Sequence, residues 1–250
     1  MNFSTKLLSI LAGAVLLLGN GPFADDRLLA QGVDEDTPEE ISAYADLYEA
    51  LDEGTDHEAM LDSTMTVVRQ QFAALPEVAE AEQSYPGLIN GVMTEIRPVF
   101  RDYLERQREV YRSHLIAAIG RVLTPSEARS LAEVHRSELG RRLLQTVSLS
   151  FSPDATLEDS ADYDRTVEGL AARYEDDSTN AQAETARTLT QEELVEVQEF
   201  IRERPALLKA GRLNRELALV TAEMKEPPNA DELARLQAAQ ERAFTRHLGD

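Results

Sequence analysis

The chain has no cysteine and no tryptophan among its 250 residues. Without cysteine there can be no disulfide framework, thiol nucleophile or thiolate metal site, so stability has to come from a packed core. Basic residues are scarce: 25 Lys and Arg against 46 Asp and Glu leave a formal charge of −21. A field of that sign repels nucleic acid and anionic lipid, so neither is expected as a partner. It would attract cations or basic proteins, although negative charge also serves simply to keep a protein dispersed. Beyond residue 18 no apolar run approaches the length of a membrane span. Catalytic signatures are missing as well. There is no phosphate-binding loop, dinucleotide fingerprint or Ser-nucleophile elbow. The four histidines, His57, His114, His135 and His247, lack metal-protease spacing. No cofactor is expected, and no catalytic or metal-ligating residue is assigned. Carboxylate-pair hydrolysis stays open only because so many acids are available. The seven Tyr and seven Phe recur at core-like spacing, which speaks mildly against a carbohydrate cleft.

What is present begins with "MNFSTKLLSILAGAVLLLGNGPFA". Lys6 precedes an apolar stretch, Leu7 to Leu18, of signal-peptide length and too short to span a bilayer comfortably. The expectation is a signal peptide over 1–24 cleaved after Ala24, with Ala30 as the fallback because Pro22 is a poor −3 residue. An uncleaved N-terminal anchor is the competing reading. Residues 25–36 read as an acidic linker and 37–250 as a single all-helical domain of an exported, periplasmic protein.

From residue 37 onward apolar residues recur at three- and four-residue spacing, with no convincing alternating strand. The fold class is therefore all-α, an antiparallel domain of seven to nine helices. "TPEEISAYADLYEAL" opens one, with Thr37 capping, Pro38 at the first helical position and Glu40 closing a capping box; Ile41, Tyr44, Ala45, Tyr48 and Leu51 form its face. A second helix over about 58–75 presents Leu61, Met65, Val68, Phe72 and Leu75, with "LPEV" ending or kinking it. Pro86-Gly87 marks a break, and Pro98 is expected to kink the next helix or split it in two. Leu131, His135, Leu139 and Leu143 share one buried face. The acidic stretches "LDEGTDHEAMLD" around His57 and "YEDDSTN" at 174–180 read as solvated and, in the second case, fraying, rather than as hard-cation sites.

One short pattern is written twice. "LTPSE" at 123–127 returns as "LTQEE" at 189–193, each a Thr-x-x-Glu capping box behind a Leu. An apolar residue stands ten positions after each Thr, Val134 and Phe200. The pattern suggests an internal duplication with pseudo-repeats at about 99–147 and 161–224. After Pro205, the residues Ala206, Ala210, Leu213, Leu217, Val220 and Met224 run at alternating four- and three-residue steps, the seam of a helix packed on other helices.

Around these boxes the sequence resembles the exported, all-helical bacterial proteins of domain-of-unknown-function family 2059. Their pattern is close to T-x-x-E-L followed by F-Y-x-S-P-x-G-x-K. Thr124, Glu127, Ser137 and Gly140 fall on that frame, and Arg142 stands at the Lys. Val134 and His135 replace the aromatic pair, Ala128 the Leu and Glu138 the Pro. In the second copy Thr190, Glu193, Leu194 and Phe200 fit, whereas Ile201, Glu203, Arg204, Ala206 and Leu208 depart and Pro205 falls one place late. The resemblance spans roughly 100–215; it implies an exported helical protein and brings no activity with it. His135, Ser137, Gly140 and Arg142 form the candidate docking patch for a partner. The expected function is non-enzymatic binding of other envelope proteins, as a chaperone-like or assembly factor. The alternatives are an oligomeric structural module pairing through the 206–224 seam, or a carboxylate-based hydrolase or metal binder.

Overall fold

The computed structural model describes residues 37–157, 166–224 and 228–248. The signal peptide and acidic linker, and the first residues of the second pseudo-repeat, lie outside them. Among the described residues there are eleven α-helices, one 3-10 turn and no strand. In chain order the helices are α1 (Pro38–Gly54), α2 (His57–Ala73), α3 (Pro76–Ser84), α4 (Leu88–Val122), α5 (Pro125–Arg136) and α6 (Glu138–Ser150). They continue with α7 (Asp154–Leu157), α8 (Val167–Thr188), α9 (Gln191–Glu203), α10 (Ala210–Glu223), after a 3-10 turn at Pro205–Lys209, and α11 (Ala230–Leu248).

The three Thr-x-x-Glu capping boxes at Thr37, Thr124 and Thr190 start helices. Thr37, Thr124 and Thr190 each accept from the backbone N–H three residues on, and each is matched by a glutamate that accepts from the Thr amide at 2.8, 2.8 and 2.6 Å respectively. Each cap stabilises its helix by about 1 kcal/mol. A fourth box, unforeseen from sequence, opens α11. Asn229 N–H donates to Glu232 at 2.8 Å, and Glu232 N–H to Asn229 Oδ1 at 2.9 Å. Buried Glu232 also takes both nitrogens of Arg106 at 2.8 and 2.9 Å. Burial opposes its charge, but Arg106 and the Asn229 amide outweigh it and hold the carboxyl below its usual range.

α4 is one helix of 35 residues, about 52 Å long, and continues through Pro98 without being split. The expected break is absent because Pro98 lies on the exposed face. Thr94, whose carbonyl loses its helical donor to the proline, is exposed as well, so water is available to that carbonyl. Elsewhere the chain divides more finely than the periodicity suggests. "LPEV" starts a separate helix, α3, and the segment that reads as one helix through Leu143 breaks at Ser137. α1 is rotated from its expected face: Ile41 is exposed, and Ala43, Tyr44, Leu47 and Ala50 are buried. Gly87, with φ of 94°, turns the chain into α4.

Two cores share α4. Toward its N-terminal half, Val92, Ile96, Phe100 and Tyr103 meet Leu61, Val68 and Phe72 of α2, Val78 of α3, and Leu236, Ala239 and Ala243 of α11. At its C-terminal end Ile119 and Val122 meet Tyr44 and Leu47 of α1, Leu131 of α5, Ala206 and Leu213. A smaller cluster joins Leu170 and Ala171 of α8 to Ala218 and Ala222 of α10. The 206–224 seam is thus largely used inside the chain: Ala206, Leu213 and Val220 are buried. Leu217 and Met224 are half-buried and Ala210 is exposed.

Candidate functional site

The four residues of the expected docking patch do not form one surface. Ser137 caps α6: its Oγ accepts the Gly140 N–H at 3.0 Å and donates to the Val134 carbonyl at 2.6 Å. Gly140 is buried in the elbow between α5 and α6, where a Cβ would come within 2.0 Å of the Val134 carbonyl oxygen. His135, half-buried at the end of α5, is shielded from water, and this pushes its imidazole down to about 4. Only Arg142 is exposed among the four.

The His135 shift has a measurable consequence. The folded protein keeps this imidazole neutral where the unfolded chain, with an ordinary value of 6.5, takes up a proton. Stability attributable to His135 is therefore complete above pH 6.5 and falls as pH drops toward 4, by about 1.4 kcal/mol per unit. Between pH 7.5 and pH 5 it amounts to about 2 kcal/mol. In urea titrations at both pH values, His135→Leu should lose about that much less than the parent protein; equal losses would refute the assignment.

Arg142 reaches across to the second capping box, 2.5 Å from Glu193. Conversely Lys209, in the turn after α9, donates to Glu127 of the first box at 2.7 Å. Each box glutamate thus takes a cation from the other segment. The Thr190 backbone and hydroxyl hold Glu193 below the usual carboxylate range; Lys209, then Thr124, do so for Glu127. The two segments differ in burial, however. α5 buries Ala128, Leu131, Ala132 and Val134, whereas α9 has no buried residue.

That leaves α9 an amphipathic helix with an incomplete cover. Leu194, Val197 and Phe200 are only half-buried, and Val195, Ile201 and the following Leu208 are 45, 39 and 76 % exposed. Glu192, Glu196, Glu199 and Glu203 share the opposite face of the helix, with Arg202 and Arg204 near its end. Arg204 covers part of the Phe200 ring, at 5.2 Å from its centroid.

A second feature lies midway along α4, between the two cores. There a cleft of about 440 Å3 opens between α1, α2, α4, α7, α8 and α10. Four of the seven tyrosines, Tyr48, Tyr103, Tyr111 and Tyr174, line it together with leucines. Its mouth carries Asp52, His57, Glu58, Arg101 and Arg108. Glu58 takes Arg101 in a two-point pair at 2.8 and 2.9 Å, and Arg97 at 2.8 Å. Asp52 is bonded to His57 at 3.0 Å and has Arg108 at 3.9 Å. The stretch around His57, expected as a solvated linker, is instead a tight turn in which Asp56 caps α2 through the Ala59 N–H at 2.9 Å.

One wall of the cleft depends on a buried acid. Asp177 of α8, 1 % exposed, accepts from Ala155 N–H at 2.9 Å, Thr156 N–H at 3.0 Å and Thr156 Oγ1 at 2.5 Å. Arg173 donates to the Ala155 carbonyl at 2.8 Å. Together they clamp α7, whose Thr156 lines the cavity with neighbouring Phe151 and Pro153. Burial lifts the Asp177 carboxyl above its ordinary range in spite of three donors. The "YEDDSTN" stretch therefore does not fray: it lies within α8, with Asp176, Thr179 and Asn180 exposed as expected and Asp177 alone buried. Its spacing held the signal, since Leu170, Tyr174, Asp177 and Ala181 fall on one helical face.

Among the described residues, no group of three or more His, Cys, Asp or Glu is placed to hold a metal ion, and no helix is long and apolar enough to cross a membrane. The chain matches no family model, no curated protein and no solved structure.

Proposed function

We propose that this chain is an exported, non-enzymatic helical protein of the cell envelope that binds other proteins through α9, as a chaperone-like or assembly factor. The observation that supports this reading is an amphipathic helix whose apolar side chains the rest of the chain covers only in part. Isolated exposed apolar residues are ordinary, but a stripe along one helix face marks an interaction surface. The excess of glutamate on α9 favours a basic partner, and disfavours a second copy carrying the same charge. Export rests on Lys6 and the Leu7–Leu18 stretch. The likeness to the exported helical family belongs to this reading, as does duplication of the two capping-box segments, which their crosswise ion pairs favour.

The test is aggregation of unfolded, basic envelope proteins in the presence of the purified chain, beside crosslinking in its own envelope. The parent protein should slow aggregation, and Val195→Glu/Ile201→Glu, changed at exposed positions, should need about tenfold more protein for the same effect. No protection, with no crosslinked partner, would remove the proposal. Crosslinks to itself alone, with sedimentation that shifts with concentration, would put an oligomeric module in its place.

A further inference from the structure

We propose that the cleft beside α4 is a binding site for a small amphiphilic monocarboxylate, its apolar body between the tyrosines and leucines and its carboxylate on Arg108. This site is separate from α9 and does not rest on the protein-docking reading.

The cavity falls within the size range of small-molecule sites, and its composition is theirs: a mainly apolar lining with a few polar and charged groups. Leucines such as Leu104, Leu115 and Leu217 and the tyrosine rings supply its apolar wall, among which stand Thr64, Gln107, Thr156 and Thr221. The molecule also closes space elsewhere. Gly54 lets Leu144 approach, Gly120 lies against the Tyr44 ring, and Gly140 admits a backbone carbonyl. A chain that brings helices together at three glycines leaves this gap open where four tyrosines converge. Tyrosine lines a binding site well because its ring is apolar while its hydroxyl can meet a polar substituent.

The mouth selects the head group. Arg101 is saturated by Glu58 in a two-point pair, so it has little left to offer a ligand. Arg108 differs. The contact found for it is Asp52 at 3.9 Å, beyond hydrogen-bonding distance, and Asp52 already has His57 at 3.0 Å. A planar carboxylate matches the guanidinium fork of Arg108 in a way that a loosely placed Asp52 does not. Asp52, Glu58 and Glu105 around the mouth set the upper limit. They disfavour a dianion such as a phosphate monoester, and leave one negative charge as the head group that fits. A cation fits less well in spite of these acids, because Asp52 and Glu58 are already bound to cationic or donor side chains.

The experiment is calorimetric titration of the full chain with octanoate, decanoate and dodecanoate, and with decanol and decyltrimethylammonium as head-group controls. Affinity for the carboxylates should rise up to about fourfold per added methylene until the cavity is full. Decanoate should bind about tenfold more tightly than decanol or the quaternary amine. Arg108→Gln should weaken decanoate about tenfold and leave decanol unchanged. Leu115→Trp, filling the cleft, should abolish binding of every probe while helical content by circular dichroism is retained. Val195→Glu/Ile201→Glu should change none of these affinities, which separates this site from the docking surface. The proposal is overturned if no carboxylate binds, if the amine or the alcohol binds as well as decanoate, or if Arg108→Gln leaves the carboxylate series untouched.

Discussion

Gly140→Ala should lower the free energy of unfolding by about 3 kcal/mol, measured by urea titration at neutral pH. The reason is geometric. The added Cβ would sit 2.0 Å from the Val134 carbonyl oxygen and 2.8 Å from its carbon, and a backbone carbonyl, unlike the end of a side chain, cannot swing aside. Either the elbow opens, pulling Ser137 from its cap, or α5 shifts off α1. Ordinary helix propensity runs the other way, since alanine is favoured over glycine within a helix by about 1 kcal/mol. Gly211 in α10 supplies the control: it is exposed, and a Cβ there meets nothing within 4 Å. Gly211→Ala should stabilise by up to about 1 kcal/mol. The same substitution thus changes sign between two helices. If Gly140→Ala also stabilised, the close approach at the elbow would be wrong.

Asp177→Ala should cost a similar amount, about 3 kcal/mol, by stranding two backbone N–H groups and the Thr156 hydroxyl without their acceptor. Asp177→Asn should cost less. One oxygen survives to accept from Thr156, and the amide no longer carries a charge that burial disfavours. The local signature should be sharper than the global one. Because Asp177 and Arg173 hold α7 against α8, hydrogen exchange at Ala155 and Thr156 should accelerate in the Ala variant well before the core amides of α4 do. Unchanged exchange there would show that α7 is held by something else.

The contrast between these two residues shows where sequence reading succeeds and where it stops. Capping boxes are legible because all their chemistry lies within four residues, and Thr37, Thr124 and Thr190 each start a helix as expected. Periodicity is legible too, but it does not register a break that keeps the phase. Leu131 and Leu139 stay on the buried side across Ser137, so two helices read as one. Pro98 misleads in the opposite direction, because its cost depends on whether the freed carbonyl meets water, a property of the tertiary structure. Ile41 and Ala43 exchange places for a similar reason. What α4 and α5 present to α1 decides which stripe is buried, and Tyr44, Leu47 and Ala50 are the residues that join their cluster. The candidate patch rests on a motif, and a motif does not say which of its members is a cap, which a close approach and which a side chain free to reach out. The cleft is not legible at all. Its tyrosines come from positions 48, 103, 111 and 174, and only the folded chain brings them to one place.

The way the first core is closed bears on when the protein can fold. Leu236, Ala239 and Ala243 of α11 complete a cluster whose other members, from Leu61 to Tyr103, belong to the first half of the chain. A nascent polypeptide therefore carries an unsealed apolar surface on α2, α3 and α4 for more than a hundred residues of further synthesis. Domains that finish early fold as they emerge from the ribosome. This one must wait until α11 has been made, so its lifetime as an open chain is written into the order of its helices.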